Sequence, residues 1–410
     1  MYSIFTHLND IELSGVAFKD QGRKKRVISH FTAKGESTIP ELSELLNISI
    51  PKTTELISSL HEEGLVIDSG KKTEGLGRKA VIYSLNPHCC YFLGVEIRKY
   101  KINIGLMSFN GDLVKTALNI PFTYLEAGES LQAIIGEIRI FLQKITIPMD
   151  KIVGLGLSMA GRINVKTSNI LSNYHFGDAP VKKRLEKAFG LPVFLDNDSR
   201  TVAYGEYHFG HSGLSFTEQN VCIVNIDYGM SLGIFVNGKP VYGASGYAGE
   251  IGHIPMFDNQ KICFCGKKGC LETEASGLAL IDFILNKIKE QNSSSLQNPL
   301  SKNGFLELED ILEAVHRGDN LALEGVTQIA YNLGRGLAVA INMLNPELIV
   351  LGGMLAGLGE PLLLPVKTSI MQYSLSLVNN DTRIILSSIG QRAGIPGCCL
   401  LVRDKVLGLV

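Results

Sequence analysis

Three of the chain's eight cysteines, Cys263, Cys265 and Cys270, crowd together just downstream of His253. One imidazole and three potential thiolates make the ligand set of a closed tetrahedral zinc site. The spacing Cys-x-Cys-x4-Cys, with Gly266 and Gly269 interspersed, lets the backbone fold tightly round one ion. With four protein ligands no coordination position stays open for water, so the expected Zn2+ is structural, one per chain. The other use of these residues is three buried thiols and a core histidine. Cys89-Cys90 and Cys398-Cys399 lie among apolar neighbours and read as small buried hydrophobes.

The same segment presents Glu250, His253 and Glu272, polar side chains suited to the adjacent hydroxyls of a sugar. A second polar group, Asp196-Asn197-Asp198, ends the apolar run Val193-Phe194-Leu195. A carboxylate at a strand end opening on a cleft is placed to accept a hydroxyl proton. The competing use is a cap for a helix over Arg200 to Tyr207, with Asp196 or Ser199 as the capping residue.

Organisation along the chain follows from its punctuation. Residues 1–22 carry no clear period and read as an arm. Helices are expected from Arg23 to Gly64 and strands from Val66 to Leu85. Asn86-Pro87 then closes a first domain, 23–87. From residue 88 to 410 the texture is α/β. Two stretches, Tyr91–Leu118 and Val221–Val241, each read as strands around an Asn-Gly turn, Asn110-Gly111 and Asn237-Gly238. A hairpin opening each half of a long α/β region predicts a duplicated architecture with a cleft between the halves. Asn292–Asn303 reads as a flexible surface insertion, Leu306–Leu344 as helices, and Glu347–Leu351 as a buried strand ending in Gly352-Gly353.

In the first domain, Ser37–Asn47 is an amphipathic helix capped by Ser37 or Thr38, with Glu41 three residues after Thr38 as in a capping box and Leu42, Leu45 and Leu46 on its apolar face. After the break Ile48-Ser49-Ile50, a second helix runs from Pro51 to Glu63. Leu56, Ile57 and Leu60 point to the core, and Lys52, Thr53, Thr54, Glu55 and Ser58 are left to face outward. Two short helices joined by a tight turn are the helix-turn-helix pattern, whose second helix enters the major groove. The loop Ser69–Lys79 between two expected strands carries Lys71, Lys72, Arg78 and Lys79 against Glu74, a basic wing for phosphate contact. Arg23–Arg26 adds a second cationic patch. A helical protein-interaction module is the alternative. Base contact would fall to Lys52, Thr53 or Thr54.

The net charge of -1 carries no global signature for nucleic acid, so DNA binding would need such a local patch. No apolar run is long enough to cross a bilayer and the first residues lack a leader pattern, which predicts a cytoplasmic protein without membrane contact.

Five motifs resemble one family: GLGLSMAG (Gly154–Gly161), DNDSRTVAYGE (Asp196–Glu206), GYAGEIGH (Gly246–His253), CFCGKKGCLE (Cys263–Glu272) and NPELIVLGG (Asn345–Gly353). Over essentially its whole length the chain resembles the repressor branch of the ROK family of repressors, open reading frames and sugar kinases. The resemblance implies a winged helix-turn-helix followed by a two-lobed, actin-like α/β domain of the ribonuclease-H type. It implies sugar contacts from Asn197, Asp198, Glu250, His253 and Glu272, with Asp198 where the kinases keep their base and His253 serving both zinc and sugar.

The departures from the kinases matter as much. Their first phosphate loop reads Asp-x-Gly-Gly-Thr-Lys; here it reads Glu96-Ile97-Arg98-Lys99-Tyr100-Lys101. Their glycine-rich second hairpin is replaced by Asp227-Tyr228-Gly229-Met230-Ser231-Leu232-Gly233, in which bulky side chains and a carboxylate oppose a triphosphate. Arg200 stands where the kinases carry Asn. The expected function is a sugar-responsive DNA-binding regulator, acting as a repressor without kinase activity. Its expected partners are operator DNA, a small sugar effector and further copies of itself as a homodimer or homotetramer. An active sugar kinase with an appended DNA-binding head is the alternative.

Overall fold

The computed structural model describes residues 15–71, 80–98, 100–124, 127–171, 180–210 and 218–409. It opens with α1 (Gly15–Lys34), β1 (Glu36–Thr38), α2 (Ile39–Leu46), α3 (Ile50–Glu62), β2 (Val66–Lys71) and β3 (Val81–Leu85). The strands form an antiparallel sheet in the order β1-β3-β2.

α1 begins inside the stretch expected as an arm, so the boundary expected at Arg23 falls within a helix. Gly22 and a weak apolar period hid it; tertiary contacts supply what the local pattern lacks. Val27, Ile28 and Phe31 are buried, and Lys24 pairs with Glu63 and donates to Ser59 Oγ at 2.9 Å. Arg23 pairs with Asp20 at 2.8 Å, and Arg26 Nη2 donates to the Leu45 carbonyl at 2.7 Å. The cationic patch expected at Arg23–Arg26 is therefore largely committed to internal partners. α2 starts where its capping residues place it, with the Thr38 N–H donating to Glu41 Oε2 at 2.7 Å. Leu42 and Leu46 are buried, but Leu45, expected beside them, is 37% exposed.

The chain continues through β4 (Tyr91–Ile97), β5 (Lys101–Ser108), β6 (Leu113–Pro121), α4 (Ala127–Gln143), β7 (Ile152–Met159), the hairpin β8 (Arg162–Asn164) and β9 (Asn169–Leu171), α5 (Val181–Phe189) and β10 (Val193–Asn197). Then come α6 (Asp198–Phe209), β11 (Val221–Ile226), β12 (Met230–Val236), β13 (Lys239–Pro240), α7 (Glu272–Ala275), α8 (Gly277–Lys289), α9 (Gln297–Asn303), α10 (Leu308–His316) and α11 (Asn320–Leu344). The last elements are β14 (Leu348–Gly352), α12 (Glu360–Tyr373), α13 (Ser376–Asn379), β15 (Arg383–Leu386) and α14 (Gly394–Leu407).

Two compact units divide these elements. The first takes the described residues of Met1–Gly161, Ser172–Asp196 and Cys398–Val410; the second takes Arg162–Leu171 and those of Asn197–Gly397. Each contains a five-stranded sheet, ordered β10-β7-β4-β5-β6 in the first and β13-β12-β11-β14-β15 in the second. In both, an antiparallel meander comes first in sequence (β4-β5-β6, β11-β12-β13), and its first strand then pairs in parallel with a later one (β7, β14). This is the duplication that the two Asn-Gly turns predict. β14 is buried throughout, as a strand paired on both sides and covered by helices must be.

The second unit's core gathers Leu280 and Ile284 of α8, Ile311 of α10, Leu333 and Leu337 of α11, and Leu362 and Val366 of α12 with Val224 and Leu351 of its sheet. Each fully buried aliphatic side chain is worth about 2 kcal/mol of transfer free energy. The stretch expected as a flexible insertion is instead ordered. Asp319 accepts bonds from Ser294 Oγ, Ser295 N–H and the Ala322 N–H that opens α11; Leu296 is buried, and α9 follows. One carboxylate thus caps a helix and folds the preceding loop onto it, a tertiary effect that the polar run Asn292–Asn303 does not reveal. No helix among the described residues is long and apolar enough to cross a membrane.

Candidate functional site

The segment after β13 carries the candidate metal centre. Ile251–His253 forms a short 3-10 turn, after which the chain makes two isolated bridges, Pro255 with Cys270 and Ile262 with Lys268. These fold Cys263, Cys265 and Cys270 back towards His253. The Cys263 N–H donates to the Lys267 carbonyl at 2.8 Å, and the Gly266 N–H to the Cys263 carbonyl at 2.8 Å. Gly269 lies at φ +72°, where a Cβ would fall 2.0 Å from the Phe257 carbonyl oxygen, so the turn admits only glycine.

One ligand atom from each of His253, Cys263, Cys265 and Cys270 lies within 4.8 Å of the other three. Cys265 Sγ and Cys270 Sγ are 3.6 Å apart, and Cys263 Sγ is 3.5 Å from His253 Nδ1. Ligands about 2.0–2.3 Å from a tetrahedral ion stand roughly 3.3–3.8 Å from each other. The four residues therefore fit a small divalent cation as they stand. Burial pushes the Cys263 thiol up to about 12, so its own surroundings do not ionise it, whereas a bound cation would.

Polar groups border this cluster. His253 turns Nδ1 to the cysteines and Nε2 towards Glu250 Oε2, 3.6 Å away. Glu272, at the start of α7, places Oε1 3.8 Å from Cys263 Sγ, while its Oε2 accepts the Met230 N–H at 3.2 Å. His253 thus neighbours Glu250 on one side and Cys263 on the other, with Glu272 also beside Cys263.

Asn197 and Asp198 arrive on a separate element, at the junction of β10 and α6. The cap of α6 belongs to neither Asp196 nor Ser199. Asn197 Oδ1 accepts from the N–H groups of Ser199 (3.0 Å) and Arg200 (3.3 Å), and Asp196 is buried. Asp198 Oδ1 accepts from Ser199 N–H at 2.7 Å in the first turn of α6. Arg200 joins α6 to the loop before Glu250: its Nη1 donates to the Gly246 carbonyl, and its guanidinium lies 5.3 Å from the centre of the Tyr242 ring. Tyr242 drew no notice in the sequence, where it is one aromatic residue in a glycine-rich run.

Carboxylates in the stretches Glu96–Lys101 and Asp227–Gly233 have internal partners. In the first unit, buried Glu96 accepts from Arg98 Nη2 at 2.9 Å and Asn103 Nδ2 at 2.7 Å. In the second, Asp227 Oδ1 accepts the Met354 N–H at 2.6 Å, and the Asp227 carbonyl accepts from Gly277 N–H at 2.9 Å.

On α3, Lys52 is half-buried, its Nζ 3.1 Å from Glu55 Oε2, and Thr54 is exposed. Thr53, expected to face outward, is fully buried, and its Oγ1 donates to the Ser49 carbonyl at 3.1 Å. Positions 53, 56, 57 and 60 form one helical stripe, and Thr53 belongs to it. Lys71 is exposed at the end of β2. Lys72, Arg78 and Lys79 lie outside the described residues.

Comparison with known proteins agrees with this arrangement. The ROK family model matches residues 92–405. A putative xylose repressor from Caldicellulosiruptor sp. (strain Rt8B.4) is 27% identical over 90% of this chain and 92% of its own length. A glucokinase from Halalkalibacterium halodurans is 32% identical, over 77% of this chain and 96% of its own length. A crystal structure described as a ROK family transcriptional regulator, homolog of the E. coli MLC protein, superposes with a TM-score of 0.81 at 27% identity, covering 95% of this chain and 98% of that one. The fold is therefore the mixed α/β, sugar-kinase-like fold of these proteins, and the chain belongs to the ROK family.

Proposed function

We propose that the protein is a sugar-responsive DNA-binding repressor of carbohydrate genes. The observation that carries this reading is the block α1 to β3 joined to the ROK fold. The glucokinase likeness covers 77% of the chain, whereas the regulator structure covers 95%. The likeness to the putative xylose repressor also takes in more of this chain than the glucokinase's does, 90% against 77%. Three helices with a three-stranded antiparallel sheet suit a winged helix-turn-helix over residues 23–87, extended by the start of α1. In it α3 would enter the major groove. Lys52 and Thr54 would meet DNA from α3, and Lys71, Lys72, Arg78 and Lys79 from the wing. Thr53 is withdrawn from that role, because a fully buried hydroxyl touches no base.

In residues 88–410, Asn197, Asp198, Glu250, His253 and Glu272 would hold the sugar. His253, Cys263, Cys265 and Cys270 would hold a structural Zn2+ that fixes the loop between Glu250 and Glu272. With Nδ1 on the metal, the Nε2–H of His253 is oriented towards Glu250, which in turn steadies the imidazole. The sugar acts by preferring the conformation of one DNA-binding state, since a ligand shifts an equilibrium only by its differential affinity. A homodimer or homotetramer in the cytoplasm suits two-fold operator recognition. Exposed Met343, Met371, Leu375 and Leu377, at the ends of α11 to α13, suit burial against a second copy.

Phosphoryl transfer is not part of this reading. The carboxylates of the two stretches have protein partners, Glu96 pairing with Arg98 at 2.9 Å and Asp227 accepting the Met354 N–H at 2.6 Å, and neither would welcome a triphosphate. The kinase reading keeps one observation in its favour, Asp198 at the position of the kinase base. One experiment decides between them. DNA selected from a random library by the purified protein is titrated with D-xylose, D-glucose and N-acetyl-D-glucosamine, and the same sugars are assayed with ATP. Sequence-specific binding altered by one sugar, without ADP release, is expected. Steady ADP release would favour the kinase, and failure to select any sequence would remove the repressor.

A further inference from the structure

Asp198 and Glu250 stand on different elements, so their relation depends on what joins α6 to the loop after β13. Arg200, in the first turn of α6, makes that join. Its backbone N–H completes the Asn197 cap, and its side chain crosses to one turn of the loop. Nη1 donates to the Gly246 carbonyl and the guanidinium stacks over Tyr242. The turn is closed by the Ala248 N–H donating to the Tyr242 carbonyl at 3.2 Å, and steadied from the β8-β9 hairpin by the Val165 N–H donating to the Ser245 carbonyl at 3.2 Å. Gly246 lies at φ +95°, and a Cβ there would come 3.0 Å from a Val165 methyl and 3.1 Å from the Ile163 carbonyl oxygen. Glycine is thus needed to aim that carbonyl at Arg200.

A guanidinium is a flat fork that can donate and stack at once; an ammonium cannot reproduce both contacts. The Asn that the family's kinases carry at this position is too short for either. The Gly246 carbonyl and the Tyr242 ring give the guanidinium two contacts on the same loop.

We propose that Arg200 is a positioning residue of the sugar site: it fastens the loop 242–250 to α6 and so sets where Glu250 stands relative to Asp198. This rests on the sugar-binding reading above. The consequence is selectivity. Two carboxylates recognise a pair of hydroxyls only at one separation, so the fastening selects sugars whose hydroxyls span it.

The test uses the full-length protein and the variants Arg200→Met, Arg200→Lys and Tyr242→Leu. Hydrogen–deuterium exchange is followed in peptides covering 242–250, and apparent sugar affinity is read from thermal shifts with D-xylose, D-glucose and N-acetyl-D-glucosamine. Zinc content and the sugar-free melting temperature are the controls. Exchange in the loop is expected to rise about tenfold in Arg200→Met and Tyr242→Leu, with sugar affinity weakened by a similar factor, Arg200→Lys intermediate and both controls nearly constant. Unchanged loop exchange in both the Met and Leu variants would overturn the proposal, and so would faster exchange with sugar affinity intact. If no sugar binds the wild type while loop exchange still rises in the variants, the fastening stands and the sugar-binding reading falls.

Discussion

The imidazole of His253 holds Nε2 3.6 Å from Glu250 Oε2 while its Nδ1 faces Cys263 Sγ at 3.5 Å. One ring therefore links the candidate metal cluster to the candidate sugar site, and the two should separate under mutation. Glu250→Gln keeps the shape but weakens the acceptor for both the imidazole N–H and a sugar hydroxyl. Sugar affinity is expected to fall roughly tenfold or more, with zinc content unchanged. Parallel calorimetric titration and metal analysis check this; loss of metal in the variant would mean that Glu250 acts through the cluster.

The cluster itself should hold one zinc per chain. Cys265→Ser leaves three ligands and is expected to lose the ion. The loop between Ile254 and Leu271 then lacks its clip, so the melting temperature should drop by several degrees. Elemental analysis and a thermal melt of the same sample decide it, and a metal-free wild type with an unchanged melt would remove zinc from the account.

Thr53 and Thr54 stand side by side on α3, the first buried and the second exposed. Thr53→Ala opens a small gap in the head and should cost about 1 kcal/mol of its stability, with little change in DNA affinity of the folded protein. Lys52→Ala and Thr54→Ala should do the reverse, weakening DNA binding several-fold with the head's melt unmoved. Arg78→Ala with Lys79→Ala should weaken all sequences alike and flatten the salt dependence. Fluorescence anisotropy at two salt concentrations, beside thermal melts, separates the cases.

Glu206, buried on α6, accepts a bond from Ser387 Oγ. Burial raises its carboxyl to about 7. The folded protein thus holds this proton more tightly than the unfolded chain, where a glutamate releases it near pH 4.3. The stability that the proton contributes is complete below that pH, is lost as pH rises towards about 7, and changes no further above it. Glu206→Gln, which keeps an acceptor for Ser387, should flatten this slope and be more stable than the wild type at pH 8, by roughly 2–3 kcal/mol at most. Urea unfolding at pH 5, 6, 7 and 8 measures it, and parallel pH profiles for the two proteins would sink the assignment.

Much of the molecule is legible from residue order alone, because its governing interactions are local. The His/Cys cluster is written in the spacing of Cys263, Cys265 and Cys270 with Gly269, since a tight turn that brings three thiols together restricts which residues fit. The duplicated meanders are written in two Asn-Gly turns between apolar runs, and the start of α2 in the three-residue step from Thr38 to Glu41. Tertiary structure decided the rest, wherever a partner lies far along the chain. Lys24 meets Glu63, which extends α1 back through a stretch with no period of its own. Asp319 gathers Ser294 and Ser295, which orders a run that looks like a linker. Thr53 turns inward because the core of the head, not the polarity of threonine, sets the stripe of α3. Arg200 and Tyr242 face each other only once α6 and the loop before Glu250 are folded, so no local pattern could announce them.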